Sequence, residues 1–340
     1  MALPPARRQP GDVVNGRFLI TKELGSGAMG EVFLAHDGIL GHDVAMKYLK
    51  GFPDRPDLIE HFKSEFATLT HLSHPHVTKV FDFACDDATK HYFFTSEFIG
   101  GCDFFAFTAG VDPKGIEALF VQALRALEYL HGNDIFHFDI KPQNVLVTPV
   151  EGPAGPGRVQ VIDFGLAAVG FQNKLVGTPS YMAPEIILRE NPTGQADLYS
   201  LGVLLYYALT RNNPFRGQQR EETFQRHLTL VPPPPSTINH KVPTYLDDIA
   251  MRLIAKRPQD RYAAAAQVIQ DLNLRCGNPY PVETPETLIA YIPWEGQFIG
   301  RATQLAEILQ VLAACRDGAR ERVPLLWVRG ARGTGKSRLL

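Results

Sequence analysis

The sequence predicts an α+β chain built sheet first and helices second. Two observations carry that prediction. Between Arg17 and Ile99 the apolar residues fall in short runs separated by glycine and polar turns, and beyond Asp112 they recur mainly at spacings of three and four. Composition agrees: 45% hydrophobic and 21% charged residues is a globular balance, not a disordered or fibrous one. The length of 340 residues allows two domains at about 150 each.

The small sheet is read from Phe18-Leu19-Ile20, a glycine turn over Gly25 to Gly30, Val32 to Ala35, and Val44-Ala45-Met46. Leu58, Ile59, Phe62, Phe66, Leu69 and Leu72 mark one apolar stripe and predict an amphipathic helix over 58–72. Val77 to Phe83 and His91 to Ile99 supply two more strands, and Gly100-Gly101 reads as a flexible break between two lobes. Asp112-Pro113 then starts a helix with a capping carboxylate and a proline whose missing N–H is harmless in the first turn, and Gly132 ends it. Short strands are expected around Ile135, Val145 to Val147 and Val159 to Ile162, followed by helices to about Leu274. Prolines crowd between Cys276 and Pro293, where the domain boundary is expected.

Charge and cysteines exclude several classes. With 34 Lys+Arg against 36 Asp+Glu, the net charge is -2, which argues against gripping nucleic acid or an anionic membrane as the main business and leaves only a local basic patch open. Cys85, Cys102, Cys276 and Cys315 show no CxxC pair, which argues against a disulfide framework or zinc site and for a reducing cytoplasm. Met1 to Pro10 has no apolar core and does not read as a signal peptide. The longest apolar stretch, Leu198 to Leu209, is shorter than the roughly 18 residues that span a bilayer and reads as a buried helix.

Gly25-Ser26-Gly27-Ala28-Met29-Gly30-Glu31-Val32 is a G-x-G-x-x-G-x-V loop, a string shared by dinucleotide and phosphate-binding loops. Its context is a hairpin, since Glu31 to Ala35 reads as a strand where a dinucleotide fold would have a helix. Glycines there let backbone N–H groups approach phosphate oxygens. A third strand follows and ends in Lys47.

From that point the chain resembles the eukaryotic-like Ser/Thr protein kinase family, over roughly Gly16 to Leu274, with a bilobal fold of β-rich N-lobe and helical C-lobe as the implied architecture. The resemblance is carried by Lys47, Glu65, His137-Phe138-Asp139-Ile140-Lys141-Pro142-Gln143-Asn144, Asp163-Phe164-Gly165 and Ala183-Pro184-Glu185, in the family's order. It implies ATP and Mg²⁺, with Mn²⁺ as an alternative metal, and a protein substrate. Lys47 would pair with the α- and β-phosphates and Glu65 would hold it; Asp139 would take the acceptor proton and Lys141 would face the γ-phosphate. Asn144 and Asp163 supply hard oxygens for the metal. Leu24, Val32, Ala45 and Leu146 would enclose the adenine below the Gly25, Ser26, Gly27 and Gly30 loop. The backbone of Glu97 to Ile99 would bind the adenine edge, with Ser96 as a small gatekeeper. Lys141 and Thr178 resemble the Ser/Thr-specific branch. Asp197 would brace the catalytic loop, and Arg261 would pair with Glu185. By the same resemblance, His71, His74 and His76 stand at a helix-to-strand corner and read as structural rather than metal-binding.

One departure stands out. The family usually has arginine where this chain has Phe138, and that arginine engages a phosphorylated activation loop. Leu166 to Gly177 also lacks Ser, Thr and Tyr. Both absences predict a kinase not switched by activation-loop phosphorylation, with Phe138 holding the loop by packing.

A second motif lies at 330–337. Gly330-Ala331-Arg332-Gly333-Thr334-Gly335-Lys336-Ser337 fits G-x-x-x-x-G-K-[ST] after the apolar run Leu325 to Val328. Gly330, Gly335, Lys336 and Ser337 would be its nucleotide-binding positions, and upstream Phe298-Ile299-Gly300-Arg301 and the amphipathic Leu305 to Leu312 resemble the entry to an AAA-related or STAND-type signalling ATPase. The expected organisation is a kinase domain over 12–275 (N-lobe about 12–99, C-lobe about 102–275), a linker over 276–296, and an incomplete ATPase start over 297–340. The chain would be the front portion of a larger protein, with C-terminal ATPase or signalling domains as partners. Two other functions stay open: a pseudokinase-type ATP-binding regulatory module, and a signalling NTPase with the kinase as its sensor.

Overall fold

Alternation of buried and exposed residues builds the first sheet. In the computed structural model, which describes residues 8–26, 30–49, 66, 69–150, 156–164, 178–277 and 280–290, it runs in the order β1-β2-β3-β4-β6-β5 with antiparallel neighbours. The strands are β1 (Val13–Val14), β2 (Phe18–Ser26), β3 (Gly30–Asp37), β4 (His42–Leu49), β5 (Val80–Cys85) and β6 (Tyr92–Glu97). Phe18, Ile20, Phe33, Ala35, Val44, Met46 and Phe93 fill one face as a core of their own. At Gly30 any Cβ would overlap the Tyr48 carbonyl oxygen, so only glycine lets β3 close on β4 at the root of the hairpin. Of the helix expected over 58–72, Phe66, Leu69 and Leu72 are buried; residues 50–65 and 67–68 lie outside the described part.

A second sheet, β7-β8-β9, comprises β7 (Cys102–Asp103), β8 (Val145–Pro149) and β9 (Gly157–Val161). The Gly100-Gly101 step leads directly into β7. A Cβ on Gly101 would run into the Val147 carbonyl, so this glycine serves a close backbone approach that starts β7. Ile135 is not in a strand: its N–H closes the end of the preceding helix on the Leu130 carbonyl (2.9 Å). Val77 stands before β5 and bridges to His74 and Val161, tying the two sheets together.

The helices are α1 (Phe104–Phe107), α2 (Pro113–Gly132), α3 (Pro184–Ile187), α4 (Gly194–Thr210), α5 (Arg220–Thr229), α6 (Pro235–Ile238), α7 (Thr244–Leu253), α8 (Ala265–Cys276) and α9 (Pro285–Ala290). The Asp112 side chain caps α2 by accepting the Gly115 N–H (2.7 Å). Its stripe (Ile116, Leu119, Phe120, Ala123, Leu124, Leu127, Leu130) is buried as its spacing predicts. Helix α4 is buried nearly all round and forms the centre of the lower lobe. Among the described residues no helix is long and apolar enough to cross a membrane.

Two clasps lie at the margins. Arg8 donates to both oxygens of the fully buried Asp86 (2.8 and 2.7 Å), which also accepts the Tyr48 hydroxyl (2.8 Å). Burial works to raise the Asp86 carboxyl, but Arg8, Tyr48 and the Ala88 amide outweigh it and hold it well below the usual range. A depressed carboxylate stabilises the fold above its unfolded pKa and loses that contribution as pH falls. Arg8→Ala is thus expected to cost about 2 kcal/mol at pH 7, in a gap that closes below about pH 4. Chemical denaturation across pH checks this; a gap as wide at pH 2 as at pH 7 would leave packing as Arg8's only contribution. At the other end, Tyr280 donates to Glu117 (2.8 Å) and Arg125 to the Pro281 carbonyl (3.1 and 2.5 Å), so residues 280–282 lie against α2.

Candidate active site

The site is assembled where β4, β9 and the loop between α2 and β8 meet. Lys47, buried on β4, donates its Nζ to Asp163 Oδ2 (2.7 Å), just beyond β9. Glu65, the partner expected for Lys47, lies outside the described residues, as do Gly27, Gly330, Gly335, Lys336 and Ser337. Leu24, Gly25 and Ser26 end β2 and are exposed, and Gly25 pairs with Val32 across the hairpin. Ala45 pairs with Ser96 between β4 and β6, and Leu146 pairs with Asp103 in the second sheet. Val32, Ala45 and Leu146 are half-buried. Glu97 is exposed and Ile99 buried, and the Glu97 N–H is committed to the Lys79 carbonyl (2.8 Å). Ser96 lines a cavity with Thr78, Val80, Phe94, Asp163 and Phe164.

Asp139 is the centre of a closed set of donors. Its Oδ1 accepts the Thr178 N–H (2.8 Å) and hydroxyl (2.9 Å); its Oδ2 accepts Lys141 Nζ (2.5 Å) and Asn144 Nδ2 (3.3 Å). Asn144 Nδ2 also donates to the Asp139 carbonyl (2.9 Å), and Lys141 reaches the Thr178 hydroxyl (3.2 Å). This carboxylate is 8% exposed, so its orientation is fixed before any substrate arrives. With its nitrogen committed, Asn144 has its side-chain oxygen to offer, and Asp163, held by Lys47, carries carboxylate oxygens of the hard kind that Mg²⁺ takes.

The loop is held from below by Asp197 of α4. That carboxylate accepts the His137 N–H (2.8 Å), the Phe138 N–H (2.7 Å) and His131 Nε2 (2.9 Å). Burial works to raise it, and His131 together with these donors more than offsets that, leaving it below the usual range. His137 Nε2 donates to the Ile162 carbonyl (2.9 Å), and its Nδ1 accepts the Asp139 N–H (3.3 Å), a tautomer assigned from these partners. Phe138 and Asp163 have left-handed backbones (φ 56° and 60°), which cost about 1–3 kcal/mol each in residues other than glycine. The Asp197 bond to the Phe138 N–H helps to hold that strain. Phe138 stacks on Phe136 (5.6 Å) and packs on the cluster containing Ala183 and Tyr199. Glu185 and Arg261 form a buried bidentate pair (2.7 and 2.8 Å).

The Asp197–His131 contact and the double hold of Thr178 on the base are not signalled by the sequence. His131 is simply the penultimate residue of an apolar helix. The His74 and His76 pair is structural: His74 stacks on Tyr129 (4.8 Å) and His76 Nδ1 meets the Val159 carbonyl (2.9 Å). Burial pushes these imidazoles down to about 3 and about 4. Among the described residues no His, Cys, Asp and Glu cluster could hold a metal by itself, and Cys85 and Cys102 are free thiols.

A two-lobed fold with lysine, base, amide and carboxylate so arranged defines a phosphotransferase of the kinase class. The protein kinase domain profile matches residues 18–272, and the chain belongs to that family. It is 33% identical over 260 residues to the serine/threonine-protein kinase Pkn1 of Myxococcus xanthus, covering 74% of this chain and 37% of that one. It is 31% identical over 289 residues to the serine/threonine-protein kinase PknB of Mycobacterium tuberculosis, covering 81% and 45%. The chain thus spans less than half the length of these curated relatives. The crystal structure of a point mutant of the Mycobacterium tuberculosis PknI kinase domain superposes with a TM-score of 0.61 at 25% identity, covering 82% of this chain and all of that one.

Proposed function

We propose that this domain transfers the γ-phosphoryl group of ATP to Ser or Thr hydroxyls of a protein substrate. The observation that carries the reading is the Asp139 carboxylate, locked by Lys141 and Asn144 of its own loop and by Thr178 from a separate segment. Asp139 orients the acceptor hydroxyl and receives its proton. Lys141, 2.5 Å from that carboxylate, is placed to meet the charge of the transferred group. Lys47 holds Asp163 and faces the nucleotide phosphates. Val32, Ala45 and Leu146 offer apolar surface to the adenine, and the Glu97 carbonyl and Ile99 N–H offer its edge two hydrogen bonds. Asn144 and Asp163 would hold Mg²⁺, which neutralises charge on the β- and γ-phosphates when bound.

Labelled ATP with Mg²⁺ should label Ser and Thr, but not Tyr, in the protein and in a generic substrate. Nucleotide binding by a folded chain without any transfer would favour the pseudokinase reading. Independence from activation-loop phosphorylation is part of the proposal. Phe138 stands where a phosphate-binding cation would, and the Thr178 hydroxyl is engaged with Asp139 and Lys141. Phosphatase-treated and autophosphorylated protein should have equal activity within about twofold; a required phosphate at Thr178 or Ser180 would sink this part.

Residues 330–337 are proposed as the P-loop of a second nucleotide site, supported by the motif and the apolar run before it. In a longer chain, nucleotide hydrolysis that depends on Lys336 would support it. A cytoplasmic setting belongs to the same proposal.

A further inference from the structure

Three hydrogen bonds close a ring where the first sheet meets the second. The Thr78 N–H donates to the Val161 carbonyl (3.0 Å), and the Glu97 N–H donates to the Lys79 carbonyl (2.8 Å). Gln160, beside Val161 on β9, donates its Nε2 to Glu97 Oε2 (3.3 Å) across 63 positions of sequence. The first two bonds are made by backbone and are open to many sequences. The third needs an amide at 160 and an acceptor at 97.

The setting of Gln160 singles it out. Val159 and Val161 on either side are fully buried in the lower core, and strand alternation turns Gln160 to the opposite face, where it pairs in register with Leu146. Only 7% of Gln160 is exposed. A buried amide costs free energy unless its hydrogen bonds are made, and an apolar side chain would fill the same place beside Leu146 without that cost. What the amide gains is an ionised acceptor, and because a carboxylate only accepts, the NH₂ half is the one that faces Glu97. Glu97 ends β6, the last strand before the chain passes to the second sheet. With its N–H on Lys79 and its side chain on Gln160, it is held from both sides.

We propose that Gln160 is a positioning residue for the nucleotide base: it fixes Glu97, and through it the 97–99 backbone, in register with Leu146, so that the Glu97 carbonyl selects adenine over guanine. Adenine carries a 6-amino group that donates to a carbonyl, whereas guanine carries an oxygen there that a fixed carbonyl repels. A backbone released from Gln160 gives way and loses that discrimination. The inference rests on the kinase reading of the site, in which the 97–99 backbone meets the adenine edge.

The test is equilibrium binding of ATP and GTP, each with Mg²⁺, by titration calorimetry on the 340-residue chain carrying Lys336→Ala, which takes the second nucleotide motif out of the measurement. Binding needs no phosphoryl transfer, so the readout is independent of whether a peptide is phosphorylated. Gln160→Met keeps the length of the side chain and removes its amide. It should weaken ATP about fivefold, the scale of one hydrogen bond, and leave GTP within about twofold, so that the preference for ATP narrows. Glu97→Met should do the same, and the double variant should be no worse than either single one, because each removes the same bond. Losses that add in the double variant would give the two residues separate roles and overturn the proposal. A role in stability alone predicts a lower Tm with the parent's ATP-to-GTP ratio, and that result in folded Gln160→Met overturns it as well. If Gln160→Met does not fold, Glu97→Met, whose side chain is exposed, carries the test, and an unchanged ratio there is equally decisive against it. A parent chain that binds no ATP would overturn the kinase reading; one that binds ATP and GTP equally overturns this inference alone.

Discussion

Asp139→Asn is expected to slow γ-phosphoryl transfer about a thousandfold while ATP affinity stays within about threefold, the usual range for loss of a general base being 10²–10⁴. The reason is visible in the four donors around the carboxylate. Thr178 fills Oδ1 and Lys141 with Asn144 fills Oδ2, so an amide, with one acceptor in place of two, sets its NH₂ against one of those pairs whichever way it turns. Loss of the proton acceptor and misorientation of the loop then act together. Single-turnover transfer at saturating Mg-ATP measures the step itself; a variant within tenfold of the parent would remove Asp139 from the proton path.

The largest stability effect is expected at Arg261. Its guanidinium is enclosed and donates to Glu185 (2.7 and 2.8 Å) and to the carbonyls of Ala255, Gln195 and Lys256. Arg261→Ala leaves Glu185 buried and unpaired, a loss of about 3–5 kcal/mol, or about 10 °C in Tm for a domain of this size. Replacing both partners by methionine should be less damaging than Arg261→Ala, because the penalty comes from the orphaned charge rather than from the absence of a bond. Calorimetry of Arg261→Ala and the double variant checks both statements. A single variant within 1 kcal/mol of the parent would mean that solvent reaches Glu185 in its place.

How much of this was legible in the sequence depends on the range of the contact. The α2 helix carries its stripe, cap and stop within twenty residues, and all three are where the pattern puts them. The paired strands likewise show in local runs of β-branched and aromatic residues. Ile135 failed because one isolated apolar residue after a helix has two outcomes, a strand or a closing turn, and the Leu130 carbonyl decides between them. Gly101 carries a role that local sequence does not show, since the Val147 backbone it approaches lies 46 residues away. Within the site, Asp139, Asn144 and Asp163 were legible because their spacing is fixed by one loop and one strand. His131 and the hold of Thr178 were not, since each depends on a partner more than 25 residues away.

The two marginal clasps bear on how such a domain can be passed between proteins. The family profile spans 18–272, whereas Arg8 lies ten residues before it and Tyr280 eight after. A gene segment cut at the profile's edges would encode all the catalytic groups yet leave Asp86 without its guanidinium and Glu117 with one tyrosine hydroxyl in place of two. The heritable unit of this kinase is accordingly wider than its recognisable signature. Fusions that join new partners inside residue 8 or before residue 282 should recombine activity with fragility, and selection on such junctions would act on flanking residues that no catalytic motif contains.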